Sequence, residues 1–432
     1  MKEAEHERKW QSNRSRGKGR KRRPRLFHGA SFAGIVMIII ISVFSVILSS
    51  SHPASSGFIV VEFSQSEAVA AAVTPGSEQR ASDMASVLSP LQEKIIDDAE
   101  QVSFHYSISR ERHRWCVATN DTGSGNHTYQ EGLIFVKIDK CASTTSASVN
   151  ERIADQLGRR FLPNGKACHH WNSHKFAQEL IDGPRNSETS FLWTTVRHPA
   201  TRGLSRYFFS KVTRNEEEAS EHGILLFLEK LPRDHMLDYM RLSAGRGKYN
   251  VDKVARVMRS YDFVALAERM PESLVVLSML MEVPLADTIV MSAKKPGSYY
   301  AKSRHPLQCV KVHPKWTTQA IDAYLEYNFT KNHYWDYVMH EAASRNLDKT
   351  IEALGKAKVQ EKLVDFYEMM ERNEKLCADE AVFPCPASGP DHEERTTKSC
   401  YTRDWGCGHD CTRRILKEAA DAEWAVLSQS GA

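Results

Sequence analysis

From Leu26 to Val61 the chain carries no Asp, Glu, Lys or Arg, and within that stretch Ala30–Leu48 is almost wholly apolar. At about 1.5 Å per residue these nineteen residues form a helix about 28 Å long, roughly the hydrocarbon core of a bilayer. Directly before it stand Lys18, Arg20, Lys21, Arg22, Arg23 and Arg25. Basic residues are retained on the cytoplasmic side of a span. The pattern therefore predicts a basic cytoplasmic tail over residues 1–28, a single transmembrane signal anchor over 29–50, and a luminal remainder. A cleaved signal peptide is the alternative, since Ser49, Ser50, Ser51 and Ala54 supply small residues, but the basic and apolar regions are both long for one.

The tail also accounts for the net charge of +4. Met1–Arg25 holds eleven Lys and Arg against three Glu; taken from totals of 58 and 54, this leaves 47 basic and 51 acidic residues for the rest. A slightly acidic body offers no broad face for a phosphate backbone, so no nucleic-acid partner is expected and any anion site must be local.

A luminal body should be oxidised and glycosylated. Nine Cys and the sequons at Asn120, Asn126 and Asn328 fit that compartment. Five of the Cys, at 377, 385, 400, 407 and 411, fall in a C-terminal segment over 377–432 too polar to build much core, which points to disulfide stapling. Zinc is the competing reading, because GCGHDC places Cys407, His409 and Cys411 together, although paired CxxC knuckles are missing. An odd Cys count leaves at least one thiol free or paired between chains.

Residues 51–125 are rich in Ser, Ala, Glu and Gln, with one short helix expected near Leu91–Val102, and read as a luminal stem. The chain contains no repeat of solenoid length. The globular part is expected over 126–346 as an α/β domain. GLIFVKI from Gly132 is a compact apolar run, as in a buried parallel strand. After a short loop, Val149, Ile153 and Leu157 recur at helical spacing on a helix starting near Thr144. Strand, polar loop and helix N-terminus together form an anion receptor. Its loop, Lys140, Cys141, Ala142, Ser143, Thr144 and Thr145, combines a cation, small residues and hydroxyls, yet lacks GxxxxGK[ST], which disfavours ordinary NTPase chemistry. A surface Lys followed by a Ser/Thr helix cap is the plain alternative.

A second strand-like run, SFLWTTV (Ser190–Val196), leads into Arg197-His198-Pro199, with Pro199 suited to a first helical turn and Ser205 two turns on. Arg197 at a strand's carboxyl end and Ser205 on the following helix can reach one phosphate in the crevice of an α/β sheet. Each also has an ordinary reading, as a surface ion pair and a packing position. Lys294, Lys295, Tyr299, Tyr300, Lys302 and Arg304 form a basic, aromatic loop suited to a phosphate or an anionic glycan, or simply to solvent. Residues 347–376 read as a helical extension with Ile351, Leu354, Val359, Leu363, Phe366 and Tyr367 apolar, packed on the domain or on a second copy in a homodimer.

KCASTT after a strand, followed by VRHPATRGLSRYFF, resembles the 5′-phosphosulfate loop and 3′-phosphate motif of sulfotransferases. Tyr261–Met281 and Leu325–Tyr337 resemble two further segments of membrane-anchored Golgi carbohydrate sulfotransferases, nearest to galactose 3-O-sulfotransferases and more distantly to heparan sulfate 2-O-sulfotransferase. The likeness spans about 132–346. Cys141, where the family has Thr or a small polar residue, and His198, where Asp is common, depart from it.

The resemblance implies a P-loop-like sulfotransferase fold with a central parallel sheet flanked by helices. It also implies a type II Golgi membrane enzyme that moves a sulfuryl group from 3′-phosphoadenosine 5′-phosphosulfate (PAPS) to a hydroxyl of a galactose- or uronic-acid-containing glycan, with no metal. Lys140 would stabilise the leaving oxygen, Ala142, Ser143, Thr144 and Thr145 would hold the 5′-phosphate, and Arg197 and Ser205 the 3′-phosphate. The acceptor needs a base, and histidine suits neutral pH. His169, His170 and His174 stand together in ACHHWNSHKF; 2-O-sulfotransferases carry their base about twenty residues before the second motif, and His174, which precedes Arg197 by 23, is the first candidate. His170 would lie one turn earlier if the segment were helical. Two rival functions remain: a nucleotide-dependent glycan kinase, which needs a Mg²⁺-holding acid after a strand, and an inactive glycan-binding protein on the same fold.

Overall fold

The computed structural model describes residues 77–107, 113–118, 130–163, 165–175, 177–180, 185–213, 215, 217–242, 248–291, 298–300, 309–311, 316–377 and 408–429. The expected tail and anchor, the sequons at Asn120 and Asn126, and Lys302 lie outside these residues. Among the described residues no helix is long and apolar enough to cross a membrane. In chain order the elements are α1 (Ser77–Val102), β1 (Gly132–Val136), α2 (Ser143–Phe161), β2 (His170–Ser173), β3 (Ser190–Val196), α3 (Pro199–Tyr207), α4 (Glu221–Glu229), α5 (His235–Met240), α6 (Val251–Arg259), β4 (Phe263–Leu266), α7 (Met270–Met281), β5 (Ser298–Tyr300), β6 (Cys309–Lys311), α8 (Gln319–Tyr324), α9 (Tyr334–Leu354), α10 (Lys356–Cys377) and α11 (His409–Gln429).

Strands β1, β3 and β4 are buried along their whole length, as unbroken apolar runs demand of a sheet covered on both faces. The central sheet has the order β2-β1-β3-β4 and every pair is parallel, with Ile134 opposite both Trp171 and Leu192, and Thr194 opposite Val264. Gly132 opens β1 at φ 89°, where a Cβ would stand 2.3 Å from the His169 carbonyl oxygen. From β1 the chain moves outward to β2, then returns past β1 to β3 and β4. Connections therefore diverge between β1 and β3, and such a switch point opens a crevice at the strands' carboxyl ends.

Val149, Ile153 and Leu157 of α2 are fully buried against the sheet. Burial of Asn150 is offset by hydrogen bonding: its Oδ1 accepts from Trp193 Nε1 (2.6 Å) and its Nδ2 donates to Asn172 Oδ1 (2.9 Å). One side chain on α2 thus links β2 and β3. Ser146 on α2 and Thr195 on β3 share a hydroxyl hydrogen bond of 2.7 Å nearer the loop end.

The ACHHWNSHKF segment is strand β2 and not a helix, so His170 and His174 lie along an extended chain and do not share a helical face. Parallel pairing with β1 overrides the local pattern here. The stem expectation also needs revision near its end. Ile95, Ala99 and Val102 of α1, and beyond it Tyr106 and Trp115, are core residues. The N–H of Phe104 donates to Asn346 Oδ1 (2.6 Å) and that of Tyr106 to Thr350 Oγ1 (3.0 Å), while Arg345 and Lys349 of α9 pair with Glu100. Cys116 is joined to Cys168 across 52 residues, so packed structure begins well before the boundary drawn at 125.

The expected helical extension is two helices. Gly355 at φ 92° separates α9 from α10; Ile351, Val359 and Phe366 face the core, whereas Val364 and Tyr367 are exposed. The C-terminal segment folds back onto the domain through α11, whose Leu416 and Ala420 are buried and whose Glu423 accepts from the Leu285 N–H (2.6 Å). Cys411 pairs with Cys377, which removes it from the zinc trio considered above. Asn328 is exposed, as a glycan acceptor must be.

Two helix N-termini cap each other. Asp234 Oδ1 accepts from the N–H groups of Trp335 (3.0 Å) and Asp336 (3.3 Å), and Asp336 accepts from those of Met236 (3.1 Å) and Leu237 (3.0 Å). Burial, and then the charge of Asp234, push Asp336 up to about 7. Its folded-state value exceeds its unfolded one, so the native protein binds more protons over roughly pH 4–7 and loses stability as pH rises through that window. We expect melting several degrees lower at pH 8 than at pH 5.5, and Asp336→Asn to flatten the dependence. A wild-type melting temperature unchanged over that range would contradict it.

Candidate functional site

The loop after β1 and the turn after β3 meet at the switch point. Lys140 and Ala142 adopt φ of 67° and 53°, in the left-handed region rarely used by non-glycine residues, on either side of Cys141. Between them the Cys141 N–H turns back to the Ile138 carbonyl (3.3 Å), and α2 begins immediately after with the dipole-bearing end of a long helix. Ser143 is buried; Thr144 and Thr145 on the same first turn are half-buried. This strained loop is held from the β3 side. Arg197 Nη1 donates to the Lys140 carbonyl (3.3 Å) and Arg202 Nε to that of Asp139 (3.0 Å). The Lys140 ammonium lies 3.9 Å from the centre of the Phe209 ring. Phe209 belongs to a π-helical stretch, Phe208–Thr213, that continues α3. Cys141 is the free cysteine among the described residues; burial pushes its thiol up to about 12, which makes it a packing group and not a nucleophile.

Arg197 also lies 3.9 Å from Glu268, just past β4. One oxygen of that carboxylate accepts from the His198 N–H (2.9 Å), and the other is 3.4 Å from His340 Nε2. Burial alone would raise Glu268, but the His340 and His198 contacts overcome it and hold the carboxyl down at about 2. Burial, then His340, pushes His198 down to about 4. Ser205 is buried on α3. Glu268 went unnoticed in the sequence although it is an acid after a strand; its oxygens face imidazole and backbone donors. Among the described residues no group of three or more His, Cys, Asp or Glu is placed to hold a metal ion.

On the other flank His174 follows β2 and is half-exposed. Its Nδ1 lies 3.0 Å from the Lys137 carbonyl oxygen and 3.3 Å from Asp139 Oδ1. A carbonyl only accepts, so Nδ1 carries the hydrogen and Nε2 is the basic nitrogen. Asp139, also missed from sequence, gives its carboxylate to His174 and its carbonyl to Arg202. His170 is at the amino end of β2, four residues and about 13 Å of strand away, with Nδ1 on the Cys168 carbonyl (3.0 Å) and burial lowering its pKa. The structure therefore gathers Lys140, Ala142, Ser143, Thr144, Thr145, Arg197 and His174 around the carboxyl ends of the strands, keeps Ser205 buried two turns into α3, and leaves His170 at the other end of β2. A separate shallow cleft of about 480 Å³, lined by Asp252, Arg256, Arg259 and Ser260, lies beside the amino end of β4. No protein-family model, curated protein or solved structure matches the chain.

Proposed function

We propose that the chain is a membrane-anchored, PAPS-dependent carbohydrate O-sulfotransferase of the Golgi lumen. What supports the reading is the meeting, at one switch point, of the strained loop bearing Lys140, at the N-terminus of α2, with Arg197 at the end of β3. Two anion receptors so joined suit a nucleotide with phosphate at both its 5′ and 3′ positions. The residues fit the donor, because Lys140 and Ala142 shape a backbone cradle and Arg197 sits beside it with a guanidinium. When bound, the donor supplies a sulfuryl group on a phosphate leaving group.

Lys140 would then neutralise charge developing on the bridging oxygen, and Ser143, Thr144 and Thr145 of the first turn of α2 would hold the 5′-phosphate. His174 Nε2 takes the proton of the acceptor hydroxyl, and Asp139 stabilises the resulting imidazolium. The apolar run and basic tail support anchoring, and the disulfides fit an oxidising lumen. Replacing Arg197 by Ala is expected to weaken binding of 3′-phosphoadenosine 5′-phosphate by roughly ten- to hundred-fold in calorimetry, with a smaller effect on the turnover of saturated enzyme. Ser205→Ala should act in the same direction. Unchanged affinity in a folded Arg197→Ala protein would refute the 3′-phosphate assignment.

A further inference from the structure

Arg202 and Arg206 stand one turn apart on α3, on the same face. Arg202 is buried, at 3% relative exposure, and among the described residues its guanidinium makes one hydrogen bond, from Nε to the Asp139 carbonyl. Its Nη2 is buried with no hydrogen-bond partner among the described residues. The Arg206 guanidinium makes no hydrogen bond or ion pair among the described residues, and its Nη1 is likewise buried and unsatisfied there. The Asp139 carboxylate acts on Arg206 and the Asp336 carboxylate on Arg202 through space, but neither is hydrogen-bonded to a guanidinium; two adjacent guanidiniums largely removed from water are costly to keep unless an anion completes their bonding. Their field reaches α5, where burial and then Arg202 and Arg206 push His235 down to about 3, leaving it neutral.

The pair is not a repeat of the 3′-phosphate receptor. Relative to Ser205, Arg206 is turned by about 100° and Arg202 by about 60° around α3. Both turn toward the loop residue Asp139, whose carboxylate is the partner of His174. That is the flank on which an acceptor hydroxyl would meet its base.

We infer that Arg202 and Arg206 form a subsite for an oxyanion carried by the acceptor glycan, a uronate carboxylate or a sulfate ester, next to the sugar that presents its hydroxyl to His174. The inference rests on the sulfotransferase reading for its orientation, and it narrows the acceptors from glycans in general to acidic ones. The planar guanidinium forks suit either oxyanion, so the acceptor series must separate the two.

Calorimetry on the full-length protein in detergent, with 3′-phosphoadenosine 5′-phosphate present, would compare three oligosaccharides. These are an unsulfated glucuronate-containing hexasaccharide, its carboxyl-reduced counterpart, and a neutral-backbone hexasaccharide bearing one sulfate ester. The wild type is expected to bind at least one acidic form ten-fold or more tightly than the reduced one, and which of the two it prefers identifies the anion. Arg206→Gln should erase that preference while leaving nucleotide affinity within two-fold, and Arg206→Lys should restore part of it. No preference in the wild type, or a preference that survives Arg206→Gln, overturns the inference. A fall in nucleotide affinity matching the fall in glycan affinity also overturns it, by assigning the pair to the donor. Should the wild type bind no nucleotide yet still discriminate by charge, the enzyme reading fails and the anion subsite stands.

Discussion

Lys140→Ala is expected to lower turnover by about a thousand-fold or more while the protein keeps its melting temperature and its affinity for 3′-phosphoadenosine 5′-phosphate within a few-fold. The side chain projects from the strained loop between β1 and α2 over the Phe209 ring. An ammonium placed where negative charge develops acts in the transition state far more than in the ground state, so the loss should appear in kcat. Lys140→Arg should recover only part, since a planar fork does not replace a compact charge at the same point. A folded Lys140→Ala enzyme with near-normal turnover would remove Lys140 from the mechanism.

The second large effect belongs to His174. Substitution by Ala should reduce transfer by roughly 10²–10⁴-fold at saturating acceptor, the range of general-base catalysis, and leave nucleotide binding intact. His170→Ala should keep most of its activity, because that imidazole is at the far end of β2. Asp139→Asn should give an intermediate loss, falling on kcat rather than on the acceptor KM, since the Lys137 carbonyl still fixes the Nδ1 hydrogen while the charge opposite the imidazolium is gone. Full activity in His174→Ala would place the base elsewhere without touching the donor site. Rate measurements on the three purified variants against wild type separate these outcomes.

The parallel strands were legible because burial on both faces leaves an unmistakable apolar run in Leu133–Val136 and Phe191–Val196, and α2 because its buried positions recur at helical spacing. The loop was legible as chemistry, through Lys140 and the hydroxyls after it. What could not be read was anything set by partners distant in the chain. Segment 168–173 has no helical or strand signature strong enough alone; β1 makes it a strand by pairing, and that pairing separates His170 from His174. A helix near Leu91–Val102 was legible at the end of the stem, but its packing was not, because α1 and the segment after it meet α9, more than two hundred residues later. Asp139 and Glu268 are ordinary surface-type residues in sequence. Their importance comes from the imidazoles and backbone donors the fold sets against them.

The account stands or falls on donor use, and incubation of the full-length protein in detergent with ³⁵S-labelled PAPS and a panel of neutral and acidic glycans tests it most directly. It predicts label transferred to a glycan hydroxyl, without added divalent metal, and competition by 3′-phosphoadenosine 5′-phosphate. A well-folded protein that neither binds that nucleotide nor transfers label to any glycan in the panel would contradict it.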